Sequence, residues 1–131
     1  MKDETYMVIG GRQRGKTTAL IRKSAETGYV IAVNNKTTAN FIKQHAAKME
    51  LAIPEPIVVN AQSINSESTR NEIEEAKGVL VDDFNIFIDN IFHGKYAGCS
   101  VDNFWVKDIE NIGGMPDKTA TDTLDYMAKK R

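Results

Sequence analysis

Eight residues near the amino end, Gly10-Gly11-Arg12-Gln13-Arg14-Gly15-Lys16-Thr17, narrow the possible folds more than anything else in the chain. They match the spacing G-x-x-x-x-G-K-[ST] and follow a short apolar run, Thr5-Tyr6-Met7-Val8-Ile9. The run predicts a buried strand, and the residues from Lys16 to Thr27 predict a helix. Between them, glycines let backbone N–H groups wrap a phosphate chain without side-chain obstruction. The helix that opens at Lys16 directs its positive dipole end at the same anion. In this pattern Lys16 reaches the β- and γ-phosphates and the Thr17 hydroxyl ligates Mg²⁺. Thr18 is placed to contact the α-phosphate. The backbone of Gly10, Gly11, Arg12, Gln13, Arg14 and Gly15 forms the cradle. Arg12 and Arg14 can add charge at the γ-phosphate, remain solvated, or reach a partner.

The rest of the chain alternates between strand and helix signals. Leu20, Ile21, Ser24 and Ala25 share one face of the first helix, and Gly28 suits its end. Tyr29 to Val33 predicts a second strand, Asn34-Asn35-Lys36 a turn, and residues 38–50 a second helix. Its apolar face is Phe41, Ile42, His45, Ala46 and Met49. Ile57-Val58-Val59 predicts a third strand after two prolines. Thr69-Arg70-Asn71-Glu72 has capping-box form and starts a short acidic helix. Val79-Leu80-Val81-Asp82 predicts a fourth strand, and residues 84–92 a buried helix closed by Gly94, with a strand as the alternative. Residues 95–116 are ambiguous, with room for a fifth strand around 103–106, and residues 117–130 predict a final helix. This alternation implies a parallel sheet with helices on both faces, whose ligands sit beyond the carboxyl ends of the strands.

An aspartate at such an end is the second piece of chemistry. Asp82 closes an apolar strand sixty-five residues beyond Thr17, where it can hold Mg²⁺ through water. Asp83 either orients an attacking water as a general base or caps the following helix. His45 reads as a satisfied, partly buried histidine, and His93 as a helix C-terminal residue. His45, His93 and Cys99 lack zinc-ligand spacing. Phe104 and Trp105 read as core or interface, and Lys129-Lys130-Arg131 as a solvated tail.

These residues resemble the P-loop NTPases, specifically the additional-strand branch that includes helicases, phage terminases and AAA-type ATPases. The likeness covers residues 5–92. Val30 to Thr37 is similar to the strand and polar turn that follow the P-loop helix in helicase-like members. Ile57 to Ile64 is similar to the short motif before the Walker B strand. The resemblance extends to small ATPase-like phage proteins. It implies one minimal three-layer α/β domain over residues 1–131, with a mainly parallel sheet of 4–5 strands. Residues 93–131 would supply the additional strand and the C-terminal helix. ATP and Mg²⁺ are the implied cofactors, Lys16 and Asp83 the catalytic residues, and Thr17 and Asp82 the metal ligands. The chain departs from the branch where Asp83 replaces the usual glutamate after the Walker B aspartate. A side chain one methylene shorter can cost about 10²-fold in rate. No second helicase domain and no guanine-reading N-K-x-D follow, so adenine is favoured by default.

Composition narrows the setting. The chain has 131 residues, 41% hydrophobic and 27% charged, with a net charge of −1. The first fifty residues carry nine Lys/Arg against four Asp/Glu, and the remainder eight against fourteen. A basic first half suits phosphate, but the whole is not the basic body of a protein living on nucleic acid. One cysteine, no signal peptide and no long apolar run predict a cytoplasmic protein, in the host cytoplasm if phage-encoded, without a membrane partner. Three functions fit: a slow ATPase acting with DNA or a protein machine, a nucleotide-holding module that docks on another protein, and a small-molecule or nucleoside kinase. A kinase usually needs several late arginines, and only Arg70 and Arg131 follow residue 50. The oligomeric state is open.

Overall fold

The computed structural model describes residues 5–10, 15–100 and 108–113. They form a mixed α/β arrangement of four helices and two small parallel sheets. The chain divides into two compact units, Met1–Lys16 with Gly98–Arg131, and Thr17–Ala97. The expected helix over residues 117–130, the fifth strand around residues 103–106 and the tail lie outside the described residues.

In the first unit, β1 (Tyr6–Ile9) pairs in parallel with β5 (Asp108–Asn111), Tyr6 opposite Asp108 and Ile9 opposite Asn111. The ladder continues with Ile112 N donating to Ile9 O at 3.0 Å. Tyr6 adds a side-chain bond from its hydroxyl to Glu110 Oε1 at 2.9 Å. β5 lies within residues 95–116, the stretch that the sequence leaves ambiguous. Asp-Ile-Glu-Asn has a single apolar residue, so periodicity carries no signal there.

The second unit is built on three parallel strands in the order β3-β2-β4. β2 (Val30–Val33) is central, flanked by β3 (Ile57–Val58) and β4 (Val79–Val81). All four residues of β2 are buried, as expected of a parallel strand covered on both faces. Val30 and Ala32 join Ile57 and Val59 in one cluster, with Ile64, Ala76 and Phe87 packed against it. Ile31 and Val33 are fully buried, as are Ile21 and Ser24 of α1 (Lys16–Thr27) and Ile42 of α2 (Lys36–Lys48). Burying each such isoleucine contributes about 1.5–3 kcal/mol.

Local chemistry sets the helix ends. Gly28, at φ +80°, ends α1, and its N–H donates to Ser24 O at 2.8 Å. α2 begins two residues earlier than expected because Asn35 is its N-cap, accepting from Thr38 N at 2.8 Å. α3 (Glu67–Glu75) also starts early, capped by Ser66, which accepts from Thr69 N at 3.1 Å. The capping box expected at Thr69 is thus inside the helix, where Thr69 is buried.

Residues 84–91 form a helix, α4 (Phe84–Ile91), but it is not the buried helix the sequence predicts. None of its residues is fully buried, and Phe84 and Ile86 are 51% and 54% exposed. Phe87 alone joins the cluster on β2 and β3. The apolar face of α2 is corrected likewise: Ala39, Ile42 and Ala46 are buried, whereas Phe41 is 56% exposed. An apolar composition reports what a segment prefers to bury, not what the fold places over it. No helix among the described residues is long and apolar enough to cross a membrane.

Candidate functional site

The glycine loop leaves β1 at Gly10, within the first unit. A Cβ built on Gly10 would lie 2.7 Å from Ile112 Cγ1 and 3.1 Å from Gly113 O. The glycine is therefore required by close packing against the segment after β5, a reason that the motif alone does not reveal. Gly15, at φ +85°, takes the left-handed conformation that glycine accepts without penalty. Lys16 Nζ donates to Gly10 O at 3.1 Å, so the lysine side chain folds back over the start of its own loop. Gly11, Arg12, Gln13 and Arg14 lie outside the described residues.

The second unit holds the remaining candidates. Thr17 Oγ1 donates to Asp82 Oδ1 at 3.1 Å, both groups half-buried. Asp82 follows the last residue of β4, and its backbone N–H donates to Ala32 O at 3.0 Å. The sheet thus carries the carboxylate to its carboxyl edge, where the first turn of α1 meets it. The two oxygens are hard ligands. They are of the kind that Mg²⁺ takes, directly or through water. Among the described residues no group of three or more His, Cys, Asp and Glu could hold a metal ion.

Asp83 occupies the N-cap position of α4 with φ 56° and ψ 63°, and makes no side-chain capping bond. Of the two roles the sequence leaves open, it takes the cap's place in the chain without the cap's hydrogen bond. Its exposed carboxylate projects from a left-handed residue, a conformation that Asn and Asp visit more readily than other side chains.

Two neighbours were not legible as site residues. Thr18 Oγ1 lies 2.9 Å from His45 Nε2, joining α1 to α2. The His45 ring stacks on Phe41, with centroids 5.7 Å apart and planes at 24°. Asn34, the first residue past β2, has a buried Oδ1 with no hydrogen-bond partner among the described residues, while its backbone oxygen accepts from Asn60 Nδ2 at 3.0 Å. The sequence placed Asn34 in the turn after the second strand, where it lies, but the burial of its side-chain oxygen was not legible. His93, at φ 56°, follows α4 and is exposed, as is the free thiol of Cys99. Phe104 and Trp105 lie outside the described residues.

In comparisons with protein-family models, curated proteins and solved structures, nothing matches the chain. The functional reading therefore rests on the residues themselves.

Proposed function

We propose that the chain is a P-loop domain that binds ATP with Mg²⁺ and hydrolyses it slowly. The observation that carries this reading is the hydrogen bond between Thr17 and Asp82. The motif threonine and the strand-end aspartate lie sixty-five residues apart in the chain and meet at one sheet edge, which is what the resemblance expects of two groups that share a metal. They are the two groups that the resemblance assigns to the metal. Mg²⁺ commonly completes its shell with waters and substrate phosphates rather than protein groups alone. A triphosphate that brings its own cation fits that donor set.

In this reading Lys16 exchanges the Gly10 carbonyl for phosphate oxygens and offsets charge that builds on the transferring group. Thr17 and Asp82 would hold Mg²⁺, which supplies charge neutralisation between the phosphates. Asp83 orients the water that attacks the γ-phosphorus, and the bond to the ADP oxygen breaks. DNA or a protein machine is the proposed physiological partner.

A fluorescent ATP analogue titrated with and without Mg²⁺, with phosphate release followed in the same samples, tests this. Mg²⁺-dependent binding with slow turnover is expected, and Lys16→Ala should abolish binding. Unchanged binding by that variant would sink the assignment.

A second reading draws on α4. The exposed apolar residues Phe84 and Ile86 follow Asp83 directly, and Phe92 beyond the helix is also exposed. Such a surface suits a nucleotide-holding module that docks on another protein. Clear nucleotide binding with phosphate release at background would favour it over the ATPase.

A further inference from the structure

The contact between Thr18 and His45 carries a consequence for how a nucleotide would be held. A threonine hydroxyl has one proton and two lone pairs. A neutral imidazole nitrogen either donates or accepts, according to its tautomer. At 2.9 Å the pair therefore has two arrangements. In one, Thr18 gives its proton to His45 Nε2 and has none left. In the other, Nε2–H donates to Thr18 Oγ1, and the hydroxyl proton is free to point elsewhere.

A phosphate oxygen only accepts. If Thr18 contacts the α-phosphate, its proton must go there, and the link to His45 survives in the second arrangement alone. We propose that His45 is a positioning residue for the nucleotide: its Nε2–H holds the Thr18 oxygen so that the hydroxyl proton faces the phosphate. The imidazole also stacks on the Phe41 ring of the same helix, which favours this ring orientation. α2 thereby senses the nucleotide through one hydrogen bond, with no contact of its own. This inference rests on the P-loop reading.

The test combines a spectroscopic readout on the unaltered chain with two variants. Long-range ¹H–¹⁵N spectra of the imidazole are recorded without nucleotide and at saturating ATP and Mg²⁺. The complex should show His45 Nε2 protonated. Binding is then measured for His45→Leu, His45→Gln, Thr18→Val and the Thr18→Val/His45→Leu double variant. His45→Leu should weaken binding about tenfold, the scale of one hydrogen bond to a charged group. His45→Gln, whose amide can donate, should recover most of the loss. In the Thr18→Val background His45→Leu should cost nothing further, because the two act as one unit. An unprotonated Nε2 in the complex, wild-type binding by His45→Leu, or additive losses would overturn the inference while leaving the P-loop reading intact. No triphosphate binding by the wild-type chain would overturn both.

Discussion

At the scale of single residues, the backbone at Asp83 accounts for a side chain that otherwise looks like a defect. With φ 56°, position 83 selects against long side chains and favours the short polar ones. If Asp83 orients the attacking water as proposed, Asp83→Glu should extend its reach and raise phosphate release, by up to about 100-fold. It should also lower stability in urea by about 1 kcal/mol, because glutamate is less at ease in the left-handed region. A variant that loses stability without gaining turnover would remove Asp83 from the reaction. Asn34 offers a contrasting case. Its buried, unpartnered oxygen carries a desolvation cost of about 1–3 kcal/mol in the free chain. Asn34→Leu should therefore be neutral or stabilising in a denaturant titration, an outcome opposite to that of most half-buried substitutions. The meeting of Thr17 and Asp82 was legible because a loop motif and a strand-end acid each carry a spacing. The partnership of Thr18 with His45 was not, because it depends on how two helices lie together.

At the scale of elements, the strands and helices through residue 92 were readable from periodicity, and their ends were set by side-chain bonds that periodicity does not contain. Asn35 shows this well: read as part of a turn, it is the cap that starts α2. Asn35→Ala should cost about 1 kcal/mol, seen as a shifted urea midpoint with an unchanged slope. α4 shows the converse. Its helical form follows from its sequence, whereas its exposure follows from what the fold places above it. β5 lies in the stretch that periodicity leaves ambiguous, because Ile109 is its one apolar residue and is itself exposed. Its place beside β1 is dictated by backbone pairing and by Tyr6 reaching Glu110.

At the scale of the whole molecule, a charge pair and a chain crossing set how the protein responds to its surroundings. The Lys43–Glu55 ion pair, at 2.9 Å, ties α2 to the segment before β3. The hydrogen bond from Lys43, with the charges of Lys43 and Lys36, holds the Glu55 carboxyl below its ordinary value. A lowered value in the folded state means the contribution is present above the unfolded carboxylate range and is lost as pH falls through the folded value. Glu55→Gln should make the acid limb of a pH–stability curve slightly shallower, and salt should shrink the difference because both groups are exposed. The chain crossing has a different kind of consequence. Strand β1 and Gly10 find their sheet partner and their packing contact only at residues 108–113. On the ribosome, β1 is made about a hundred residues before the strand it pairs with. β1 and Gly10 thus pass through the making of all the intervening chain before the segment that pairs and packs with them exists.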